Sequence, residues 1–281
     1  MLVQTLVENL HFPEGPRWRD GALYFSDFYQ YRVFRMAPDG TLVTVAEVAE
    51  QPSGLGWLPD GRMLVVSMRN RQLLRQEHDG QLVLHADLFE HAAWHCNDMV
   101  VDREGRAYVG NFGFDSHGGA PVKGADLLAV ETDGVVRAVA SDLLFPNGTV
   151  ITPDGRTLII GETRGKRLTA FDIESDGSLA NRRVFADLDP HFPDGICLDA
   201  EGLVWVADPR NNCVIRVADG GQIAERIELD LGAFACTLGG EDGRTLYICA
   251  AKGSGEIAKA ERSGCILAVE VDVPAANPPS P

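Results

Sequence analysis

Pro-Asp-Gly-Arg-Thr-Leu-Ile-Ile-Gly, at residues 153–161, is a glycine turn followed by a short run of β-prone residues. The phrase returns along the chain in variants such as Pro-Asp-Gly-Arg-Met-Leu-Val-Val-Ser at residues 59–67. The turn glycines of its six copies are separated by 40 to 50 residues and are Gly21, Gly61, Gly105, Gly155, Gly202 and Gly243. A period of this length is typical of repeat architectures, in which each repeat is one supersecondary unit.

Each copy predicts a β-hairpin, because glycine adopts the positive φ that a tight turn between two strands needs. A second hairpin follows in most repeats, with its turn at Gly40, Gly80, Gly134, Gly177 or Gly220. Four antiparallel strands per repeat form one blade of a β-propeller. We therefore predict an all-β, six-bladed propeller in a single domain, residues 1–272, followed by a Pro-rich tail at 273–281. The alternative is a β-sandwich in which the Asp-Gly turns recur by accident.

The sixth repeat has only three strands of its own. After the run Cys265–Val271 the chain enters the Pro-rich tail, so an outer strand is missing. Residues Leu2–Val7 stand before the first repeat, where the other repeats carry their fourth strand. We predict that this segment is the outer strand of blade six, that it buries Leu2, Leu6 or Val7, and that it closes the ring by removing an open sheet edge.

The charge composition limits the classes of partner that this protein can bind. The 281 residues carry a formal net charge of −16, from 25 Lys and Arg against 41 Asp and Glu, whereas nucleic acids and anionic membranes require a basic face. We therefore expect neither as a partner. The six cysteines have no CxxC or CxxH spacing, which predicts reduced, buried thiols. The N-terminus has no basic and apolar leader pattern, so we expect a cytoplasmic protein. The sequence does not determine its oligomeric state.

The first strand of every blade lines the axis of a propeller, so equivalent positions of the six repeats face one another across the channel. Counting back from each turn glycine gives Glu14, Ser53, Asn97, Asn147, Asp194 and Ala235. Two neighbouring carboxylates repel each other unless protons or a cation compensate, and carboxylate and amide oxygens suit divalent cations. The pattern predicts one divalent cation, with Ca²⁺ preferred and Zn²⁺, Mn²⁺ and Mg²⁺ as alternatives.

Four motifs surround these positions: Pro13-Glu14-Gly15-Pro16-Arg17-Trp18, Asn97-Asp98 with Asp102, Phe145-Pro146-Asn147-Gly148, and Pro193-Asp194-Gly195-Ile196-Cys197-Leu198-Asp199. In this combination, the chain resembles the regucalcin (senescence marker protein), gluconolactonase and luciferin-regenerating-enzyme-like family of six-bladed β-propellers. The resemblance implies a divalent metal held by Glu14, Asn147 and Asp194, a substrate-contacting or water-mediated role for Asn97, and lactone hydrolysis. The more distant paraoxonases and diisopropyl-fluorophosphatase type make a direct metal bond from Asn97 the alternative.

One position departs from the family pattern. His95-Cys96-Asn97-Asp98 stands where sugar-lactone members resemble Arg-x-Asn-Asp. An imidazole lacks the multidentate donors of a guanidinium, so we expect His95 to contact a substrate less polar than a sugar lactone. The insertion Asn111–Gly119 carries aromatic residues, and it is either an apolar lid or a plain surface loop. The ends of the second strands add charges that we interpret as rim charges: Asp27, Arg69, Glu162, Asp208 and Arg210.

These features predict a metal-dependent lactonase acting on a small lactone or ester. A divalent metal polarises a carbonyl and activates water, and Asp194 is the expected general base because its carboxylate faces both the metal and the channel. The chain has no GxSxG elbow, and the mechanism requires no serine nucleophile. An esterase or phosphotriesterase of the same fold, and a calcium-binding propeller without enzymatic activity, are the alternatives. Strictosidine-synthase-like propellers lack the metal set.

Overall fold

The computed structural model describes residues 2–276. Within this range the chain forms six four-stranded antiparallel sheets, which confirms the all-β, six-bladed propeller. In chain order the strands are β1 (Gln4–Leu10), β2 (Pro13–Arg19), β3 (Ala22–Asp27), β4 (Arg32–Met36), β5 (Leu42–Glu47), β6 (Pro52–Trp57), β7 (Met63–Ser67), β8 (Gln72–Gln76), β9 (Leu82–Asp87), β10 (Cys96–Val101), β11 (Ala107–Asn111), β12 (Ala125–Val130), β13 (Val136–Leu143), β14 (Pro146–Ile151), β15 (Thr157–Glu162), β16 (Arg167–Ile173), β17 (Leu179–Asp187), β18 (Ile196–Leu198), β19 (Val204–Asp208), β20 (Cys213–Val217), β21 (Ile223–Glu228), β22 (Gly232–Gly239), β23 (Thr245–Ala251) and β24 (Gly264–Glu270). A short helix, α1 (Glu256–Ala260), lies between β23 and β24.

Blades one to five each use four consecutive strands, beginning with β2, and blade six has the order β22-β23-β24-β1. The innermost strands contact one another in sequence, β2 with β6, then β10, β14, β18 and β22, and β22 returns to β2. The ring is therefore closed around a central channel, and the N-terminal end of every innermost strand lies at the same face.

The Asp-Gly-Arg phrase forms the predicted turn between the first two strands of a blade. Asp154 Oδ1 accepts a hydrogen bond from Arg156 N at 3.0 Å, and Gly155 has a φ of 73°. Asp60 and Arg62 make the same contact at 3.1 Å. The aspartate closes the turn and the glycine adopts the positive φ. The glycine therefore recurs in all six turns, and the full Asp-Gly-Arg phrase occurs in blades two, four and six.

The apolar core lies between the blades. Leu64, Val66, Leu158, Ile160 and Trp205, all on second strands, are completely buried. These strands are apolar in succession because both faces of each blade pack against its neighbours. Since stability comes from the contacts between blades, the channel itself is free to carry polar side chains.

The N-terminal strand closes blade six as predicted. β1 pairs antiparallel with β24, and Gln4 lies opposite Ala268. The bounds of the strand differ from the predicted Leu2–Val7, because β1 continues to Leu10.

The side chains that anchor this strand also differ from the expected ones. Leu2 is 88% exposed and Leu6 is 36% exposed, whereas Leu10 is 3% exposed. Leu10 packs in the cluster between blades six and one, and Val7 packs against that cluster from its edge. The ladder with β24 shifts register between Val7 and Leu10, which carries the end of the strand inward.

The start of the Pro-rich tail is bound to the propeller. Ala200 N donates to Pro274 O at 2.9 Å, Ala275 N to Gly243 O at 2.8 Å and Ala276 N to Leu198 O at 3.1 Å. These bonds join the described part of the tail to blades five and six, and residues 277–281 of the predicted tail lie outside the described residues. All six cysteines are buried, free thiols, as predicted. None of the helices in residues 2–276 is long and apolar enough to cross a membrane.

Candidate active site

The channel brings together the four polar residues that the repeats align. Glu14, Asn97, Asn147 and Asp194 line one cavity of about 770 Å³, and each is between 4% and 9% exposed. These four residues form the floor of the cavity. Their roles as metal ligands, base and substrate contact remain predictions.

An irregularity of the innermost strands orients these side chains. In blades one to four the pairing register with the second strand shifts at or directly after the channel-facing position, beginning at Glu14, Pro52, Cys96 and Pro146. In blade five, Asp194 precedes β18, and no shift occurs there. A β-bulge of this kind redirects side chains and is common beside active sites. The sequence pattern predicts where each blade repeats, but it does not predict these bulges.

Two glycines allow the blades to meet beneath the floor. A Cβ atom added to Gly148 would lie 2.4 Å from the backbone nitrogen of Ile196, and one added to Gly195 would lie 2.5 Å from Ala235 Cβ. No side chain fits in these gaps, so backbone contacts backbone. The preceding residues, Asn147 and Asp194, are thereby held on adjacent blades facing the same cavity.

The floor concentrates negative charge in a buried place. The pKa of Glu14 is raised well above its usual value by burial and then by the Asp194 carboxylate. The pKa of Asp194 is also raised well above its usual value, chiefly by burial, although hydrogen bonding from Asn147 lowers it. Arg17 lies nearby but forms an ion pair with Asp98 at 2.6 Å. The two floor carboxylates therefore favour either protons or a bound cation.

Hydrogen bonds fix the orientation of the Asn147 amide. The Thr163 hydroxyl donates its proton to Pro193 O at 2.7 Å, so it accepts from Asn147 Nδ2 at 3.2 Å. This leaves Asn147 Oδ1 as an oxygen donor toward the cavity. The donor set, two carboxylates and an amide oxygen, fits a hard divalent cation.

Asn97 is oriented differently. Its Oδ1 accepts a hydrogen bond from Ser53 Oγ at 3.4 Å, and the backbone carbonyl of Ser53 accepts from Ser26 Oγ at 2.6 Å. If the oxygen stays directed to blade two, the NH₂ group of Asn97 is the part available to the cavity. An NH₂ group donates to an oxygen atom of a substrate and does not bind a cation.

Aromatic rings form the walls above the floor. Phe12 packs against Phe234 with ring centroids 4.6 Å apart and against Phe28 at 5.1 Å. On another wall, Phe112 stacks on Phe145 at 4.5 Å. The cavity therefore combines a polar floor with apolar sides, an arrangement common to small-molecule sites.

His95 also lines this cavity. Its ring stacks on Trp94 at 5.0 Å, so Trp94 supports the imidazole from behind. Burial and the nearby charge of Arg69 lower the pKa of His95. The ring is therefore neutral at pH 7 and has one donor and one acceptor nitrogen.

The insertion Asn111–Gly119 contributes to the wall. Phe112 and Phe114 are each 7% exposed, and Phe112, Ser116 and His117 line the cavity. The His117 ring also approaches Gly255, because a Cβ added there would lie 3.0 Å from His117 Cδ2. Blade three thus contacts the segment before α1 in blade six across the mouth, which makes the insertion part of the cavity.

Three of the predicted rim charges are instead buried supports of the blade corners. Asp27, Glu162 and Asp208 are completely buried. Asp27, for example, accepts hydrogen bonds from the backbone nitrogens of His11, at 2.9 Å, and Tyr29, at 3.1 Å. A carboxylate surrounded by backbone N–H groups stabilises the turns. The rim interpretation is wrong for these three, because their side chains turn inward from the strand end.

A separate cluster of potential ligands, His191, Asp208 and Cys213, lies outside this floor. His191 Nδ1 is 2.7 Å from Asp208 Oδ2, and Asp208 also accepts from the side chain of Asn211 at 2.7 Å. Its carboxylate is occupied by the blade corner, so we interpret this cluster as structural.

The fold and the floor define a six-bladed β-propeller with an acidic, amide-bearing cavity at one end of its channel. The chain belongs to the SMP-30/gluconolactonase/LRE-like family, whose model matches residues 12–252. This confirms the resemblance that the four motifs indicate.

Similar proteins include lactonases. A 6-deoxy-6-sulfogluconolactonase of Pseudomonas putida is 29% identical over 279 residues, which cover 95% of this chain and 93% of the relative. Pentonolactonase XacC of Haloferax volcanii is 27% identical over 264 residues, 91% of this chain and 87% of the relative. The structure of a gluconolactonase from Xanthomonas campestris has a TM-score of 0.77 and 26% identity, and the alignment covers 97% of this chain and 89% of that one.

Cation binding is expected to change how stability depends on pH. The pKa of the Glu14 and Asp194 carboxyls is higher in the folded than in the unfolded chain, so cation-free protein loses stability as pH rises through this raised pKa. In the presence of chelator, we expect Asp194→Asn to have a higher Tm than the parent. This difference in Tm should be larger at pH 8 than at pH 5.5. We also expect Ca²⁺ to raise the Tm of the parent by several degrees at pH 8. Calorimetry that gave the same Tm difference at both pH values would contradict the raised pKa of the floor carboxyls.

Proposed function

We propose that this protein is a divalent-metal-dependent hydrolase that opens a lactone by attack of an activated water, on a substrate less polar than a sugar lactone. The observation that carries the proposal is the floor itself, two buried carboxylates and two amides at the base of an aromatic-walled cavity. The lactonases among its relatives support the reaction class.

Glu14, Asn147 and Asp194 would hold the cation, since each offers an oxygen atom to the floor. Ca²⁺ is the preferred ion because every donor is a hard oxygen, and Zn²⁺, Mn²⁺ and Mg²⁺ are the alternatives. When bound, the cation supplies a Lewis acid that polarises the lactone carbonyl and lowers the pKa of a nearby water.

Asp194 acts as the general base in this proposal. Its carboxylate lines the cavity floor, where it can accept a proton from a water beside the bound cation. The carboxylate takes a proton from water as the water oxygen bonds to the carbonyl carbon. The ring C–O bond then breaks, the proton passes to the ring oxygen, and the product is a hydroxy acid.

The remaining residues bind and orient the substrate. The Asn97 NH₂ group donates to a lactone oxygen, which agrees with the engagement of its Oδ1 by Ser53. The neutral His95 ring and the stacked Phe112 and Phe145 rings contact the apolar part. Their flat surfaces exclude water from the floor once a substrate is bound.

A combined metal and substrate analysis tests the proposal. The protein is stripped with chelator, reloaded with each of the four cations, and assayed on aliphatic and aromatic lactones, aryl esters and organophosphates. We expect lactone hydrolysis that disappears on stripping and returns with one cation. Faster turnover of aryl esters or organophosphates would favour an esterase or phosphotriesterase instead. Tight Ca²⁺ binding without any turnover would favour a non-enzymatic propeller.

Substrate polarity is tested by His95→Arg. The guanidinium adds donors that bind hydroxyl groups, so we expect the ratio of kcat/KM for gluconolactone to that for an apolar lactone to rise about tenfold. His95→Gln, which adds no charge, is the matched control and should shift the ratio much less. A parent enzyme that already prefers gluconolactone to every apolar lactone would overturn the predicted preference.

A further inference from the structure

Two arginines at the mouth of the cavity lack an acidic partner. Arg164 and Arg210 both line the cavity, and neither forms an ion pair with a carboxylate within residues 2–276. Lysine at the same mouth behaves differently, because Lys259 Nζ lies 2.5 Å from Glu256 Oε1. Arg69, the third arginine that lines the cavity, follows β7 in blade two, whereas Arg164 and Arg210 lie on neighbouring blades.

The two arginines lie on adjacent blades, in the turns that follow β15 and β19. Arg164 N donates to Leu144 O at 3.1 Å, and Arg210 N donates to Asp208 Oδ1 at 3.1 Å. The Arg210 guanidinium also stacks over the Phe192 ring at 4.9 Å. Both backbones are therefore fixed, and the Phe192 contact also restrains the Arg210 guanidinium, which lowers the cost of ordering it around a ligand.

Their charges interact across the gap between the blades. Burial lowers the pKa of Arg164, and the positive charge of Arg210 lowers it further. Both guanidiniums keep their charge at neutral pH, so an anion bound between them would reduce this repulsion. Arg164 also follows Thr163, which hydrogen-bonds Asn147 at 3.2 Å, so its backbone is adjacent to a residue that contacts the floor.

We propose that Arg164 and Arg210 bind a carboxylate substituent of the substrate, which makes the substrate an anionic lactone. The proposal rests on the proposed function. A planar carboxylate matches the two-pronged donor geometry of a guanidinium, and the aromatic walls contact the rest of the molecule. The substrate would then carry one charged end and one apolar side, in place of the many hydroxyls of a sugar lactone.

Two probes that differ only in charge test this assignment. The first is 5-oxotetrahydrofuran-2-carboxylate, an anionic γ-lactone, and the second is its neutral carboxamide. With cation-loaded protein we expect kcat/KM for the anion to exceed that for the carboxamide by about tenfold or more. Arg164→Gln and Arg210→Gln should each lose most of this preference, and the double variant should abolish it.

Arg156→Gln is the matched control. Arg156 is an exposed residue of the same blade, in the turn at the opposite face, so the variant removes one positive charge without touching the cavity. It should keep the full preference for the anionic lactone. Equal kcat/KM for the two probes, or an unchanged preference in the double variant, would overturn the proposal.

A binding measurement separates this proposal from the proposed function. The ring-opened product of the anionic probe, 2-hydroxyglutarate, is titrated calorimetrically into cation-free protein, with inorganic phosphate as a competitor. Binding that weakens about tenfold or more in the double variant supports the arginine site even if no lactone is hydrolysed. Equal binding to parent and double variant overturns it. Displacement by equimolar phosphate would show a general oxyanion site and overturn selectivity for a carboxylate.

Discussion

Asp194→Asn is expected to fold, to bind a divalent cation more weakly, and to lose about 10²–10⁴ of kcat. Asparagine keeps an oxygen atom of nearly the same shape but removes the charge and the basic lone pair. Removing one of two buried, mutually repelling carboxylates also relieves strain on the cation-free fold. The measurement is steady-state kinetics on the best lactone of the panel in saturating cation.

Glu14→Gln is the comparison that separates binding from chemistry. It removes the other floor charge while leaving the proposed base, so it should mainly weaken cation affinity, and excess cation should restore part of its activity. Excess cation should not rescue Asp194→Asn. Near-native turnover of Asp194→Asn in saturating cation would place the base elsewhere, with His95 as the next candidate.

Deleting residues 1–9 is expected to destabilise the whole propeller. The deletion removes most of β1 and leaves the edge of β24 unpaired, where Gln4 now lies opposite Ala268. The loss of backbone pairing and of Val7 packing amounts to several kcal/mol, against a net stability of about 5–15 kcal/mol. We expect Tm to fall by about 10 °C or more, or the truncated protein to be insoluble.

Leu2→Ser is the control for this deletion. The Leu2 side chain is 88% exposed, so its replacement should leave Tm within about 1 °C, whereas Leu10→Ser, in the core, should lower it strongly. If the truncated protein melts within a couple of degrees of the parent, ring closure by β1 contributes little to stability.

The fold could be predicted from the sequence because each blade repeats the same local chemistry. A glycine with positive φ marks the first turn of every repeat, and in blades such as the fourth an aspartate closes that turn, as Asp154 does before Gly155. The same period aligned Glu14 with Asp194, although 180 residues separate them. The position of a residue within its repeat therefore predicts the floor residues, and no knowledge of their contacts is needed.

Other parts of the site could not be predicted, because they depend on the direction of individual side chains. Asp208 and Arg210 are two residues apart in the same turn, yet the first is completely buried and the second lines the cavity. Thr163, which orients Asn147, follows a buried glutamate and has no pattern of its own. Turn geometry and bulges decide these directions, and the strand period does not encode them.

The closure of blade six has a consequence for the order in which the chain is made. Synthesis on a ribosome begins at the N-terminus, so the strand Gln4–Leu10 emerges first, yet its partner Gly264–Glu270 emerges only after five complete blades. Contacts so distant along the chain form late in folding. The sequence of β1 is Gln-Thr-Leu-Val-Glu-Asn-Leu. Its polar residues limit aggregation while the strand has no partner. Among the strands described, β1 is thus the one whose partner is synthesised latest after it.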